Sequence, residues 1–206
     1  NTAGHAEYRN KTRNRQWDIE ASGKLFFTGL NAGDYDAHIS LQRLLGKKIG
    51  SFQVGFENAS STPSFIFDSR SSFYLLPAAV NFKKENNTHL FASYSLPSFK
   101  FQLAGHYYLL TNYSYINKYY QLQQESSIFN VLQIALQKTI KLGKRWNWHA
   151  EVYFQQVVGN APVNVPAIYT RNRIAYEGDL GFKNLDIALG FEARYRSPYK
   201  ADGYSP

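Results

Sequence analysis

The chain has 206 residues, of which 17% are aromatic (Tyr 16, Phe 15, Trp 3) and 18% charged, with no cysteine and a formal charge of +8. The lack of cysteine excludes a disulfide scaffold and thiolate metal sites, and no run approaches the roughly eighteen consecutive apolar residues of a membrane-spanning helix. The positive balance forms no nucleic-acid-binding face: the basic residues sit in short turn-like segments (Lys47, Lys48, Lys144, Arg145, Lys183) or alternate with acids, as Lys24 does near Glu20 and Arg194 near Glu192.

In chain order, a polar strand over 3–11 comes first. At 17–29, Trp17, Ile19, Ala21, Leu25 and Phe27 alternate with Asp18, Glu20, Ser22, Lys24 and Thr28. Further strands are predicted at 35–45, 52–58, 88–96, 99–111 and 128–142. The clearest segment, 146–158, sets Trp146, Trp148, Ala150, Val152 and Phe154 against Asn147, His149, Glu151, Tyr153 and Gln155. After a strand at 168–178, the last one, 185–196, alternates Leu185, Ile187, Leu189, Phe191, Ala193 and Tyr195 with Asp186, Ala188, Gly190, Glu192, Arg194 and Arg196. A period of two puts each set on its own face of an extended segment. Most of these strands reach the roughly nine to eleven residues that a tilted strand needs to cross a bilayer, whereas strands of soluble sheets average about five or six.

Short turns at 46–48, 97–98, 143–145 and 182–184 alternate with longer links at 59–87, 112–127 and 159–167, and only the link at 31–34 departs from that rhythm. Alternating short and long connections, with amphipathic aromatics near strand ends, describe an outer-membrane barrel. Trp17, Trp146 and Trp148 mark one end, and Tyr107, Tyr108, Tyr113, Tyr115, Tyr119 and Tyr120 the other. The expected fold is therefore all-β: a single-domain antiparallel meander over 1–206 forming a transmembrane barrel of about ten visible strands. An open sheet would leave unpaired backbone groups in lipid at several kcal/mol each, so further strands are expected outside the chain, as is any export signal. A soluble β-sandwich shares the alternation and remains the competing architecture.

On the barrel reading, the expected lumen-facing residues are Asp18, Glu20, Lys24, Asp36, His38, Gln42, Glu57, Lys100, Gln102, His106, His149, Glu151, Asp186, Glu192, Arg194 and Arg196. Trp17, Ile19, Phe27, Trp146, Trp148, Val152, Phe154, Leu185, Ile187, Leu189 and Phe191 are expected against lipid or at its interface. The mixed charge suits either a wet channel or an interior salt-bridge network.

Nothing in the sequence points to an enzyme. His5, His38, His89, His106 and His149 show no pair two or four apart, so neither a metal site nor any other cofactor is expected. Asp18 with Glu20 and Asp34 with Asp36 lie on one strand face each, unlike glycosidase carboxylates drawn from different strands. Residues 60–62 and 69–72 are loop-like serine and threonine runs without the glycine-flanked elbow of a hydrolase nucleophile.

The stretch from Gly190 to Pro206, Tyr169 to Asn172, and Asn81 to Asn86 leading into a strand resemble the putative porin family of Bacteroidota outer membranes. The resemblance implies a β-barrel in a bacterial outer membrane that passes small hydrophilic solutes, a role resting on fold. The expected partner is outer-membrane lipid, with other envelope proteins or further copies of the chain as additional candidates, and no nucleic acid. Two alternatives stand beside it: a non-conducting barrel serving as an assembly subunit of an envelope complex, and a soluble carbohydrate-binding β-sandwich.

Overall fold

The computed structural model describes residues 1–11, 16–68, 82–117, 119, 121–159, 161–179, 181 and 184–200. Twelve strands follow one another: β1 (Ala3–Lys11), β2 (Trp17–Phe26), β3 (Tyr35–Gly46), β4 (Gly50–Ser61), β5 (Glu85–Leu96), β6 (Phe101–Thr111), β7 (Tyr113–Ile116), β8 (Leu122–Glu125), β9 (Phe129–Lys141), β10 (Trp146–Val158), β11 (Ile168–Gly178) and β12 (Ile187–Arg196). Ten of them form one sheet in the order β1-β2-β3-β4-β5-β6-β9-β10-β11-β12, while β7 and β8 pair as a separate hairpin. Every neighbouring pair is antiparallel, so this is the expected meander. The sheet is open, with β1 and β12 each paired on one side among the described residues.

The expected bounds of β1, β10 and β11 coincide with the observed ones. The strands β4 and β5 run further than the predicted 52–58 and 88–96 because their polar ends pair with each other, Asn58 with Thr88 and Ser60 with Asn86. Polarity hid those ends. Conversely, β2 stops at Phe26 and β12 starts at Ile187, leaving Phe27, Leu185 and Asp186 in connections. The link expected at 31–34 therefore begins at Phe27, which removes much of the departure from the short-long rhythm. The hairpin β7–β8 occupies the expected loop 112–127; its four-residue strands are too short to show a period. Part of the 182–184 turn, residues 69–72, Tyr120, Asn81 and residues 201–206 lie outside the described residues.

The connections after β2, β4, β6 and β10 fall at one end of the sheet, here the loop end, and those after β1, β3, β5, β9 and β11 at the other, the turn end. Tight turns need special backbone. Gly50 has φ +90°, and a Cβ there would sit 2.1 Å from the Ser95 carbonyl oxygen, so only glycine lets β4 start this close to β5.

Among the described residues, no apolar core lies between layers. Among the buried residues of the strands, Ala104, Phe129, Ala135, Ala175 and Ser40 share the face that carries most of the charges, whereas large apolar residues on the other face are open: Ile39 is 51% exposed, Leu90 44% and Phe191 87%. This inverts the arrangement of a soluble sheet, which buries its apolar face.

Candidate functional site

Register fixes which side chains share a face, because directly opposed residues project the same way. One row runs Ser22, His38, Glu57, His89, Tyr108, Val131 across β2, β3, β4, β5, β6 and β9. Another runs Gln102, Gln137, Glu151, Arg171, Arg194 across β6, β9, β10, β11 and β12. The same parity places Asp18, Glu20, Lys24, Asp36, Gln42, His106, His149, Glu192 and Arg196 on this polar face. Lys100 follows the turn at Pro97–Phe99 with φ 46° and borders the same surface; Asp186 is exposed in the connection before β12. The opposite parity gathers Trp17, Ile19, Trp146, Trp148, Val152, Phe154, Ile187, Leu189 and Phe191 on the apolar face. Phe27 lies against Gly4 of that face, and Leu185 is exposed just before β12.

Two polar clusters organise the charged face. In the first, Glu57 sits between His38 and His89: its Oε1 is 2.9 Å from His38 Nδ1 and its Oε2 2.8 Å from His89 Nδ1. His89 Nε2 then meets His106 Nδ1 at 3.0 Å, and its ring stacks on Tyr108 with centroids 4.3 Å apart and on Phe91 at 5.2 Å. With His89 neutral, Glu57 accepting from its Nδ1–H leaves Nε2 as acceptor from His106, so each imidazole has a role in one chain. The nitrogens are strung in sequence, and among the described residues no three such groups converge on a point that could hold a metal ion. Beneath Phe91 the backbone is Gly55, where a Cβ would fall 2.2 Å from the Phe91 ring.

The second cluster spans β10, β11 and β12. Arg171 grips Glu192 through Nε at 2.9 Å and Nη2 at 2.7 Å, and Arg194 Nε donates to the other carboxylate oxygen at 2.6 Å. Tyr153 donates to Glu151 at 3.2 Å and accepts from Gln137 at 3.2 Å. Towards the turn end, His149 lies between Thr139 Oγ1 at 3.1 Å and Glu177 at 3.2 Å. A hollow of about 310 Å³ there is lined by Lys100, Gln102, Gln137, Thr139, His149 and Glu151, and a second, of about 340 Å³ nearer the loop end, by Gln133, Tyr153, Gln155, Tyr169, Arg196 and Tyr199.

The apolar face carries an aromatic border at the turn end. The Arg43 guanidinium lies 4.8 Å from the Trp17 ring centre, Trp146 packs edge-on against Tyr176 at 5.6 Å, and Lys138 reaches the rings of Phe99 and Phe101 at 5.1 and 5.9 Å. Trp148 Nε1 donates to Asn172 at 3.1 Å, and the Tyr94 hydroxyl to the Ile49 carbonyl. At the loop end the same face turns polar: Tyr35 donates to Asn58 at 2.7 Å, which donates to Thr88 at 2.7 Å. The tyrosine border expected at that end is not assembled as read from the sequence. Tyr107 has apolar-face parity, but Tyr108 stacks on the polar face, and Tyr113 and Tyr115 belong to β7, because the chain leaves the sheet at Thr111.

At the loop end, connections are tied across the sheet. Asp34, 3% exposed, sits in the β2–β3 connection and holds both ends of the β4–β5 connection. Burial would raise its carboxyl above the ordinary 3.8, but Lys84 Nζ at 2.8 Å, the Thr62 N–H at 2.9 Å, Asn31 Nδ2 at 2.9 Å and the Thr62 hydroxyl at 2.8 Å reverse this and hold it at about 2. The hairpin β7–β8 joins the same network: Gln124 exchanges hydrogen bonds with Lys83 at 3.0 and 2.7 Å, Asn112 donates to the Lys84 carbonyl at 3.0 Å, and Glu85 accepts from the Ser114 N–H at 2.8 Å.

Several of these residues carry a signal in the sequence beyond the expected set. The alternation in 168–178 already sets Tyr169, Arg171 and Arg173 on one face, and that of 88–96 pairs His89 with Phe91, whose aromatic ring obscured the polar parity. The tie through Asp34 joins residues as far apart as Asn31 and Lys84 and leaves no local signal.

Comparison with curated proteins and with solved structures gives no match. The family comparison does: a long-stranded meander, charged on one face and bare apolar on the other, accompanies a match running from residue 2 to residue 206, and the chain belongs to the family described as Putative porin.

Proposed function

We propose that this sheet is wall of a bacterial outer-membrane pore, its polar face lining a water-filled passage for small hydrophilic solutes and its apolar face in lipid. The observation that carries this reading is the uncovered apolar face. Ile19, Ile39, Phe52, Phe56, Leu90, Leu103, Ile134, Val152, Phe154, Ile174 and Leu189 are all exposed, and no second layer of strands or helices packs on them among the described residues. In water, so continuous an apolar surface would drive aggregation, while in lipid it carries no penalty. The ten sheet strands are 9 to 13 residues long, enough to cross a bilayer when tilted. The charges from Asp18 to Arg196 on the other face would then meet water and solutes, and the residues from Trp17 to Phe191 lipid. Passage of solutes needs no catalytic group, and the clusters described above act as fixed charges and hydrogen-bonding surface.

Two measurements test this. Detergent phase partition of the full-length protein should carry it into the detergent phase, and planar-bilayer recording should show discrete conductance steps. Recovery in the aqueous phase, or bilayers that remain silent with correctly inserted protein, would overturn the reading.

A further inference from the structure

The hollow near the loop end of the polar face differs in chemistry from the rest of that face. Its floor is a pair of register partners, Tyr153 on β10 and Tyr169 on β11, with ring centroids 5.6 Å apart and planes at 37°. Tyr199, beyond β12, adds a third ring to the lining. Tyr153 commits its hydroxyl to Glu151 and Gln137, so what it offers a solute is its ring. The Arg196 guanidinium lies 5.7 Å from the Tyr169 ring centre. Arg194, two residues earlier, is neutralised by Glu192, but no carboxylate lies within salt-bridge reach of Arg196 among the described residues. On the polar face of β10, β11 and β12 the cations Arg171, Arg173, Arg194 and Arg196 outnumber the anions Glu151, Glu177 and Glu192 by one. Pro166 and the amides of Gln133 and Gln155 complete the lining, and no side-chain partner for either amide is found among the described residues.

We propose that this hollow is a binding site for an acidic sugar, a pyranose ring bearing a carboxylate, free or at the end of a glycan. Each part of such a solute has a counterpart. The apolar C–H face of a pyranose lies on tyrosine rings, which give contact area at little entropic cost. A carboxylate takes the planar fork of a guanidinium, and hydroxyls take amides that both donate and accept. A neutral sugar would leave the Arg196 charge unanswered, and a compact inorganic anion would leave the tyrosine platform unused. The volume of about 340 Å³ falls at the small end of ligand pockets and suits a single ring. The hollow near Lys100 has no comparable platform, being lined mainly by amides, hydroxyls and charges. The proposal rests on the reading of the polar face as open to solutes.

Calorimetric titration of the full-length protein in detergent with D-glucuronate, D-glucose and acetate tests the site independently of transport. Glucuronate should bind at least tenfold more tightly than either of the others. Arg196→Gln should erase the preference over glucose, and Tyr199→Ala should weaken glucuronate several-fold. Lys144→Gln, in a turn at the far end, should change nothing, and retained heat-modifiable gel mobility certifies that each variant is folded. Equal affinity for the three probes, or an undiminished preference in the Arg196 variant, would overturn the proposal. Bilayer recording on the same samples separates the two readings: selective binding without conductance keeps the site and removes the pore, and conductance without selective binding does the reverse.

Discussion

Removing the Asp34 carboxylate should loosen the loop end without disturbing the sheet. Its carboxyl titrates at about 2 against an ordinary 3.8, and a difference of nearly two units corresponds to roughly 2.5 kcal/mol of preference for the charged form in the folded protein. Asp34→Ala removes that preference and leaves the Thr62 N–H without its acceptor. Since about 1.4 kcal/mol is a factor of ten, the protection of the Thr62 amide against hydrogen exchange at pH 7 should fall on the order of ten- to a hundredfold. Protection within the strands should stay as it was. The sign with pH follows from the folded value lying below the unfolded one: the stabilisation is complete above about pH 4 and is lost as pH falls through about 2. Thr62 protection, corrected for intrinsic exchange, should decline over that window in the native protein and stay flat in the variant. A change of less than threefold at pH 7, or an identical pH profile in both proteins, would refute the assignment of the tie to this carboxylate.

Three further comparisons probe the two faces by denaturant unfolding in lipid vesicles. Ile134→Arg, in the middle of β9 on the apolar face, should lose about 2–4 kcal/mol, while Gln133→Arg beside it on the polar face should shift stability by less than about 1 kcal/mol; equal losses would contradict the lipid assignment. Gly55→Ala places a methyl 2.2 Å from the Phe91 ring and should lose about 1–3 kcal/mol, much of it recovered when Phe91→Ala is combined with it, so strictly additive losses would deny the contact. Glu57→Ala strips the acceptor from two imidazoles and should lose about 1–3 kcal/mol, less so in a His38→Ala background; an unchanged loss there would mean the carboxylate does not link them.

Period-two alternation carried most of the fold into the sequence. The segment from Trp146 to Val158 was legible because ten alternating positions, Trp146 to Gln155, leave no other register in which their apolar stripe stays on one side. The polar ends of β4 and β5 could not, since Asn58, Ser60 and Asn86 read as loop until the neighbouring strand supplies their hydrogen-bond partners. The faces were legible for the same reason as the strands. Contacts between residues on the polar face were not: His38, Glu57, His89 and His106 come from four strands, and only the offset between those strands brings the first three into one row with His106 diagonal to His89. The hollow beside Arg196 is less legible still, as it depends on Arg196 meeting Tyr169 across β11 and β12 and on Tyr199 beyond the sheet.

The tie through Asp34 also bears on how the connection between β4 and β5 can vary. Thr62 and Lys84 are both held to one carboxylate, so the two ends of the intervening segment are fixed together whatever its length. Closure entropy grows only with the logarithm of loop length, about 0.6 kcal/mol for each doubling. Insertions between those two anchors, such as an epitope tag or a grafted peptide, should therefore be carried with little loss of stability, which makes this connection the natural place to display foreign sequence on the protein.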